Sequence, residues 1–222
     1  MLDNAFIIAA AVAEIEQPAL GVTKQFLKIH AIAFAEGNPK VAAITLHEDD
    51  QLAIVYFVVE GEKFYLAISI SLATSPFDAE WAWTQEWNRI SFHATSDTLD
   101  AKQLLELTKL KPTDSWNKGE KRRFGGALRK YSSVEFEPHP GPGEFEVQLK
   151  QLLTFLEHDS AGIRSLVDQA EGYLRVISVF HNGNTMLGGL HLDKECIQRM
   201  AALNLEIDFD LYAEGNFYKN DD

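Results

Sequence analysis

Apolar residues recur every three to four positions in the first part of the chain, and this spacing predicts helices. An apolar stripe over residues 8–15 follows Asp3, which can cap the helix, and Pro18 ends it. Residues 22–33 fit a strand as well as a helix. Their alanines and the Gly-Asn-Pro sequence after them favour a helix with Gly37 at its C-cap.

The next fifty residues alternate apolar and polar positions, which predicts β-strands. Polar turns separate Val41–His47, Leu52–Glu60 and Phe64–Ser71. This order predicts an antiparallel meander with one face covered by the preceding helices. The following strand pattern, Glu80–Ala94, changes parity near Asn88, which indicates a bulge or a break there.

The second half mixes helical and strand patterns. The predicted strands are Arg89–Thr95, about 128–137, Tyr173–His181, Met186–His191 and Leu205–Tyr212. The predicted helices are about 100–108, Glu144–Glu157, Ser160–Ala170 and about 193–203. Asn182-Gly183-Asn184 has the composition of a hairpin turn. The order predicts an α+β fold, with helices packed on mainly antiparallel sheets.

Each half carries its own helices and strands, so we expect two abutting units joined near residues 85–88. The N-terminal unit spans 1–86 and contains the helices and the meander. The C-terminal α+β domain spans 87–215, and 216–222 has the composition of a frayed tail.

Three tryptophans, Trp81, Trp83 and Trp87, occupy alternate positions of one predicted strand. Exposing their rings would cost about 25 cal/mol for each Å² of apolar area. We expect the N-terminal helices to cover them, so that the protein is a monomer or a weak dimer. A second copy covering them is the alternative.

The chain is acidic, with a net charge of -13 from 33 acidic and 20 basic residues. This balance disfavours nucleic acid as a partner, because phosphate binding depends on Lys and Arg. It favours a basic protein partner. The apolar run at residues 6–12 follows no basic segment and is too short to cross a membrane, so we expect no membrane association and a cytoplasmic location.

Several local motifs occur together in the second half. They are Arg89-Ile-Ser-Phe, Lys111-Pro112-Thr113, Ser115-Trp116-Asn117-Lys118-Gly119-Glu120 and Ile207-Asp208-Phe209-Asp210-Leu211-Tyr212. Residues from about 88 to 212 thereby resemble the bacterial family catalogued as domain of unknown function 4279, although Tyr131-Ser-Ser stands where a second tryptophan is usual. The resemblance implies no established activity, cofactor or catalytic residue. Some members look like accessories of bacterial toxin systems, which implies an immunity-type role.

A basic segment interrupts the acidic chain. Its charged residues are Lys118, Glu120, Lys121, Arg122, Arg123, Arg129 and Lys130. Guanidinium groups and glycines can surround a phosphate or a carboxylate. The candidate binding residues are Trp116, Lys118, Gly119, Glu120, Arg122 and Arg123. We expect Trp116 to anchor this loop by packing against the sheet, and Arg122 and Arg123 to lie on its exposed face.

Two other clusters offer alternatives to an anion site. Glu206, Asp208 and Asp210 share one face of the last predicted strand, where they can pair with the arginines. Their in-line spacing converges poorly on a metal ion. His181 and His191 flank the predicted hairpin, and a metal pair is the alternative to structural roles for them.

No motif for catalysis stands out, since neither a P-loop nor a nucleophile elbow is present. We therefore predict no catalytic residue, no cofactor and no metal. A non-catalytic binding module ranks first, immunity-like and binding a partner protein through its acidic surface. One alternative is an enzyme that uses loop 118–130 as an anion site together with His139, Glu120 and Arg123. The other is a structural or oligomerisation protein.

Overall fold

The computed structural model describes residues 4–123, 125–138, 141–183 and 189–218. In these ranges the N-terminal half forms a two-stranded and a four-stranded sheet, and the C-terminal half forms a five-stranded sheet. The predicted α+β fold is confirmed. The helices are α1 (Asn4–Glu16), α2 (Gly21–Leu27), α3 (Ala101–Glu106), α4 (Phe145–Glu157), α5 (Ser160–Gln169) and α6 (Lys194–Ala202). The strands are β1 (Phe34–Ala35), β2 (Asn38–Pro39), β3 (Val41–His47), β4 (Leu52–Val58), β5 (Tyr65–Ser71), β6 (Asp78–Gln85), β7 (Trp87–Ser96), β8 (Asp114–Trp116), β9 (Ser132–Phe136), β10 (Glu171–His181) and β11 (Glu206–Glu214).

The N-terminal half is an antiparallel meander in the order β3-β4-β5-β6. One face is covered by α1 and α2, where Ile7 and Phe26 join a core with Val55 and Ile68. All four side chains are fully buried. The predicted meander with helices on one face is therefore present, although the predicted cap Asp3 lies outside the described residues.

The second helix is shorter than predicted. The carboxylate of the buried Glu14 accepts hydrogen bonds from the backbone N–H groups of Ala19 and Leu20, each at 3.0 Å, just before α2 begins. The helix ends at Leu27, and the chain after it pairs with the end of β4 instead. Gly37 turns the chain between β1 and β2 with a φ of +82°, so its prediction as a helix cap is wrong.

The N-terminal helices do not cover the tryptophan stripe, and that prediction is wrong. Ala82 belongs to the core beneath the helices, so its strand neighbours Trp81 and Trp83 lie on the other face of the meander. There Trp83 packs against a small cluster that contains its strand neighbour Ala67, while Trp81 is 64% exposed. The oligomeric state of the protein stays a prediction.

The C-terminal half is a five-stranded sheet in the order β11-β10-β7-β9-β8. Its strand pairs are antiparallel except for β10 and β11, which are parallel and connected through α6. The four helices α3 to α6 cover one face. The fully buried side chains of this core include Phe92, Leu104, Val134, Phe136, Leu149, Leu153, Leu156, Ile163, Leu166, Leu174 and Val176.

Two strand predictions in this half need correction. The strand predicted from about residue 128 begins at Ser132, and β8 comes from a stretch that was predicted as a loop. Of the predicted hairpin strand Met186–His191, residues 186–188 lie outside the described residues, and 189–191 contain no strand. The strand β10 pairs instead with β7 and β11, so long-range pairing overrode the local hairpin signal.

The four-stranded and five-stranded sheets meet where the parity change predicts a break. The strand β6 ends at Gln85 and β7 begins at Trp87, and the two strands belong to different sheets. The predicted break near Asn88 is therefore confirmed, and it lies two residues earlier, at Glu86. The division into separate units at 1–86 and 87–215 stays a prediction.

Side chains from both halves pack together in a buried contact. The Nε2 atoms of His30 and His181 are 3.0 Å apart, and the backbone N–H of Asn216 donates to His30 Nε2 at 3.3 Å. The side chain of Asn216 also donates to the backbone oxygen of Ile29 at 2.9 Å. Burial lowers the pKa of both histidines. The described start of the predicted tail is thus bonded to the N-terminal half, and 219–222 lie outside the described residues.

No single helix in the described ranges is long and apolar enough to cross a membrane. Only α1 and α2 taken together reach that length and composition, and they are bent by 65° at their junction.

Candidate functional site

A polar cleft lies on the face of the five-stranded sheet that the helices leave open. It has a volume of about 350 Å³. Alternation along the strands sends one set of side chains to the apolar core and the other set into the cleft. The cleft is lined by Arg89, Ser91, His93, Thr95, Asp114, Trp116, Arg122, Arg123, Arg129, Tyr131, Glu135, Tyr173, Arg175 and Ile177.

Part of the cleft wall is a hairpin-like arm, residues 117–129, of which Phe124 lies outside the described residues. Backbone hydrogen bonds hold its two sides together: Gly119 N–H donates to Arg129 O at 2.9 Å, and Arg122 N–H donates to Ala127 O at 2.8 Å. Gly119 has a φ of +84°, a conformation that side chains with a Cβ rarely adopt. The arm is thereby ordered by its backbone, and its side chains are free to face a ligand.

Hydrogen bonds fix the base of the arm to the domain. The Asn117 side chain accepts from the backbone N–H of Ala101 at 2.9 Å and donates to Glu120 at 2.8 Å. The Lys118 ammonium pairs with Asp97 at 2.8 Å. Neither Lys118 nor Glu120 lines the cleft, so these two candidate residues lie at the support of the arm.

Three of the five cleft arginines are paired with carboxylates. Arg89 bonds to Glu135 at 2.6 Å and to Glu137 at 2.7 Å. The other two pairs are Arg175 with Asp210, at 2.6 Å, and Arg123 with Asp114, at 3.2 Å. These pairs hold three guanidinium groups in place, which reduces the entropy that they would lose on binding a ligand.

Arg122 and Arg129 differ from the other three. Within the described residues, neither has a carboxylate at ion-pairing distance. The Arg129 guanidinium lies 3.9 Å from the centre of the Trp116 ring, in a cation–π contact. Two positively charged groups of the cleft are therefore available to an anion.

The basic loop pairs in part with the protein's own carboxylates, Lys118 with Asp97 and Arg123 with Asp114, but the described residues show no pair between the loop and the carboxylates of the last strand. Asp210, one of the three carboxylates on the last strand, pairs with Arg175. Arg123 pairs with Asp114, which precedes the arm in the chain. The three carboxylates do share one face of β11 as predicted, but the arginine that pairs with this face, Arg175, lies on β10.

A buried histidine lies among the charged groups of the cleft floor. His93 Nε2 is 2.9 Å from the Ser91 hydroxyl and 3.6 Å from a carboxylate oxygen of Glu135. Burial, together with the nearby guanidinium groups of Arg175 and Arg89, lowers the pKa of His93 to about 4. Burial also raises the pKa of Glu135, against the opposing effect of Arg89. At neutral pH His93 is therefore an uncharged hydrogen-bonding group.

The cleft unites three of the candidate residues with others that sequence reasoning missed. Trp116, Arg122 and Arg123 line it, whereas Lys118, Gly119 and Glu120 do not. The missed residues include Arg89, His93, Tyr131, Glu135, Tyr173 and Arg175. Polar residues at alternate positions of β7 were the available signal, because such a strand must turn one polar face away from the core.

The remaining candidate groups do not form a second reactive site. His181 packs on His30, and His191 bonds to Glu146 at 2.8 Å, so the two do not meet. The described residues contain no group of three or more metal-ligating side chains. His139, which the enzyme alternative requires, lies outside the described residues. Burial raises the pKa of the Cys196 thiol to about 11, which keeps it protonated.

Comparison with known proteins gives a match over the half that holds this cleft. A family model described as Domain of unknown function (DUF4279) matches residues 85–214, more than half of the chain. The resemblance seen in the sequence motifs is therefore confirmed. No curated protein and no solved structure matches the chain.

Proposed function

We propose that this chain, which belongs to the family described as Domain of unknown function (DUF4279), is a binding module that holds a small anion in the arginine cleft. The observation that carries the proposal is the pair of guanidinium groups, Arg122 and Arg129, that have no carboxylate partner in the described part of the chain. Guanidinium groups form paired hydrogen bonds with phosphate and carboxylate oxygens.

The charge around the cleft supports this proposal. Five arginines line it, against two lining carboxylates, Asp114 and Glu135. The chain as a whole carries a net charge of -13, so acidic residues outnumber basic residues outside the cleft. With Glu137 and Asp210, which bond to Arg89 and Arg175, four carboxylates face the five arginines, so the positive charge that favours an anionic ligand comes from Arg122 and Arg129.

The size of the cleft favours a small ligand. Its volume of about 350 Å³ is close to the lower end of small-molecule pockets, about 300 to 1,000 Å³. The paired arginines Arg89 and Arg175 lie on strands, which hold them more rigidly than loops do. A rigid floor with two available cations on the arm is the arrangement that a compact anion needs.

A second candidate is the protein partner expected from the acidic composition. The edge strand β11 supports it, because Leu211 is 56% exposed and Tyr212 is 49% exposed, on a strand that also carries exposed acidic residues. An exposed strand edge with apolar side chains is a common surface for strand addition. An immunity-type role and a cytoplasmic location stay predictions.

Calorimetric titration with inorganic pyrophosphate tests the anion site. We expect binding by the wild type that weakens with added salt, because exposed charges are screened over about 10 Å at 0.1 M. The double variant Arg122→Gln with Arg129→Gln should bind about 10- to 100-fold more weakly, since hydrogen bonds to charged groups contribute about 1.5–3 kcal/mol. Its stability should fall by about 1 kcal/mol or less, the typical worth of an exposed cation–π contact.

The matched control is Arg164→Gln, an exposed arginine of α5 on the other side of the sheet. It should leave both binding and folding unchanged. Equal affinity in the double variant and the wild type would contradict the proposal, as would a wild type that takes up no pyrophosphate.

A further inference from the structure

We infer that the ligand of the cleft is a nucleoside diphosphate, with its two phosphates on Arg122 and Arg129 and its base stacked on Tyr131. This inference rests on the proposed function, because it names the ligand class of the same site. Its two supports are the number of available cations and the one aromatic ring of the described cleft lining that has no ring or cation on its face.

The available cations match two phosphoryl groups. Arg122 and Arg129 lie on opposite sides of the arm and line the same cleft. Each planar guanidinium can hold one phosphate through two parallel hydrogen bonds. The strand arginines Arg89 and Arg175 already bond to carboxylates, so they add positive potential rather than an open fork.

Three aromatic rings line the cleft, and two of them are already covered. The Arg129 guanidinium lies over the Trp116 ring, 3.9 Å from the ring centre. Tyr173 stacks on His93, with ring centres 5.9 Å apart and planes 21° apart. Tyr131 is 40% exposed and, in the described ranges, has no ring or cation on its face. A base can therefore stack on Tyr131, since every base has a π-face.

The same features disfavour a nucleic acid chain. A polymer would run beyond the cleft onto a surface that carries a net charge of -13. A free nucleotide places all of its negative charge among the arginines instead.

The test compares ADP, GDP and inorganic pyrophosphate as probes in calorimetric titrations of the full chain. We expect ADP and GDP to bind roughly 5- to 100-fold more tightly than pyrophosphate, because stacking of one base on an aromatic ring has this range of effect. ADP and GDP should show a similar gain in affinity over pyrophosphate, since stacking on an aromatic ring depends little on which base is bound. Tyr131→Leu should remove the advantage of ADP and leave pyrophosphate binding unchanged. Tyr131→Phe, which keeps the ring, should bind ADP like the wild type.

The outcomes separate this inference from the function on which it rests. If ADP binds no better than pyrophosphate, or if Tyr131→Leu weakens both probes equally, the nucleotide inference is overturned and the anion site stands. If pyrophosphate does not bind the wild type, both are overturned.

Discussion

The two faces of the five-stranded sheet are built from the same strands and have opposite chemistry. On β7, Phe92 and Ala94 enter the core beneath the helices, while the intervening Ser91 and His93 enter the cleft. Next to them on β9, Phe136 faces the core. One face is stabilised by removing apolar area from water, and the other keeps charged groups within reach of a ligand.

This difference shows how a small sheet supports a polar cleft without losing stability. The apolar face is packed by four helices, so the polar face does not need to contribute burial of its own. Several of its buried polar groups have partners, Glu135 with Arg89 and Ser91 with His93, whereas Trp116 Nε1 and the Ser133 hydroxyl have none in the described ranges. Buried polar groups are tolerated when they have such partners.

The largest expected effect comes from the apolar face. Phe136→Ala removes a fully buried ring from the core and should lower the free energy of unfolding by about 3–5 kcal/mol. Urea denaturation followed by circular dichroism measures this loss. Thr95→Ala, on the cleft face of the adjacent strand, is the matched control and should cost about 1 kcal/mol or less. Similar losses for the two variants would contradict the division of roles between the faces.

An intermediate effect comes from pH and concerns the cleft face. The pKa of His93 is lowered from 6.5 to about 4 in the folded protein. The contribution of the neutral imidazole to folding stability is therefore fully present above pH 6.5. It is lost as pH falls from 6.5 toward 4, by at most about 3 kcal/mol at about 1.4 kcal/mol for each pH unit. His30 and His181, whose pKa values are also lowered, add to the loss in the same direction.

Denaturation measured between pH 7 and pH 4 isolates the share of His93. The variant His93→Gln should show a shallower decline than the wild type, because it removes one of the protons taken up on unfolding. The variant His47→Gln, which changes a histidine of β3 outside the cleft, is the control and should decline like the wild type. Parallel curves for His93→Gln and the wild type would show that His93 does not titrate in this range.

The smallest effect is expected for the ion pair at the cleft rim. The Arg123 side chain is 75% exposed and its partner Asp114 is 30% exposed, at 3.2 Å. Solvent screens such a pair, so a double-mutant cycle of Arg123→Ala and Asp114→Ala should give a coupling of about 0–1 kcal/mol. A coupling energy of several kcal/mol would contradict this and would show that Arg123, like Arg89, has a structural role in the cleft.

Local patterns predicted many of the elements but only part of the site. The strand β3 has the predicted bounds, and α4 begins within one residue of its predicted start. Both could be predicted because their hydrophobic periodicity is visible within the segment itself. Of the cleft arginines, only those in the basic segment stood out, because charge clustering is visible along the chain. Arg89 and Arg175 are 86 residues apart, each isolated in a strand pattern.

The errors have one physical cause. The helix predicted over 22–33 was cut short where the backbone pairs with β4, and the hairpin predicted after β10 was overridden by its pairing with β7 and β11. The tryptophan stripe was recognised, but the side that the helices cover was not. In each case hydrogen bonding or packing with a distant segment outweighed a local preference of a few tenths of a kcal/mol to about 1 kcal/mol.

The sequence by itself determined which residues share a face of each strand. Side chains alternate by covalent geometry, so Glu206, Asp208 and Asp210 lie on one side whatever pairs with them. Only the tertiary structure decided which cations reach those faces. Arg175 meets Asp210 across 35 residues of chain, and Arg89 meets Glu135 across 46. Such pairings depend on the order of strands in the sheet, which burial of the whole apolar face selects and no local spacing encodes.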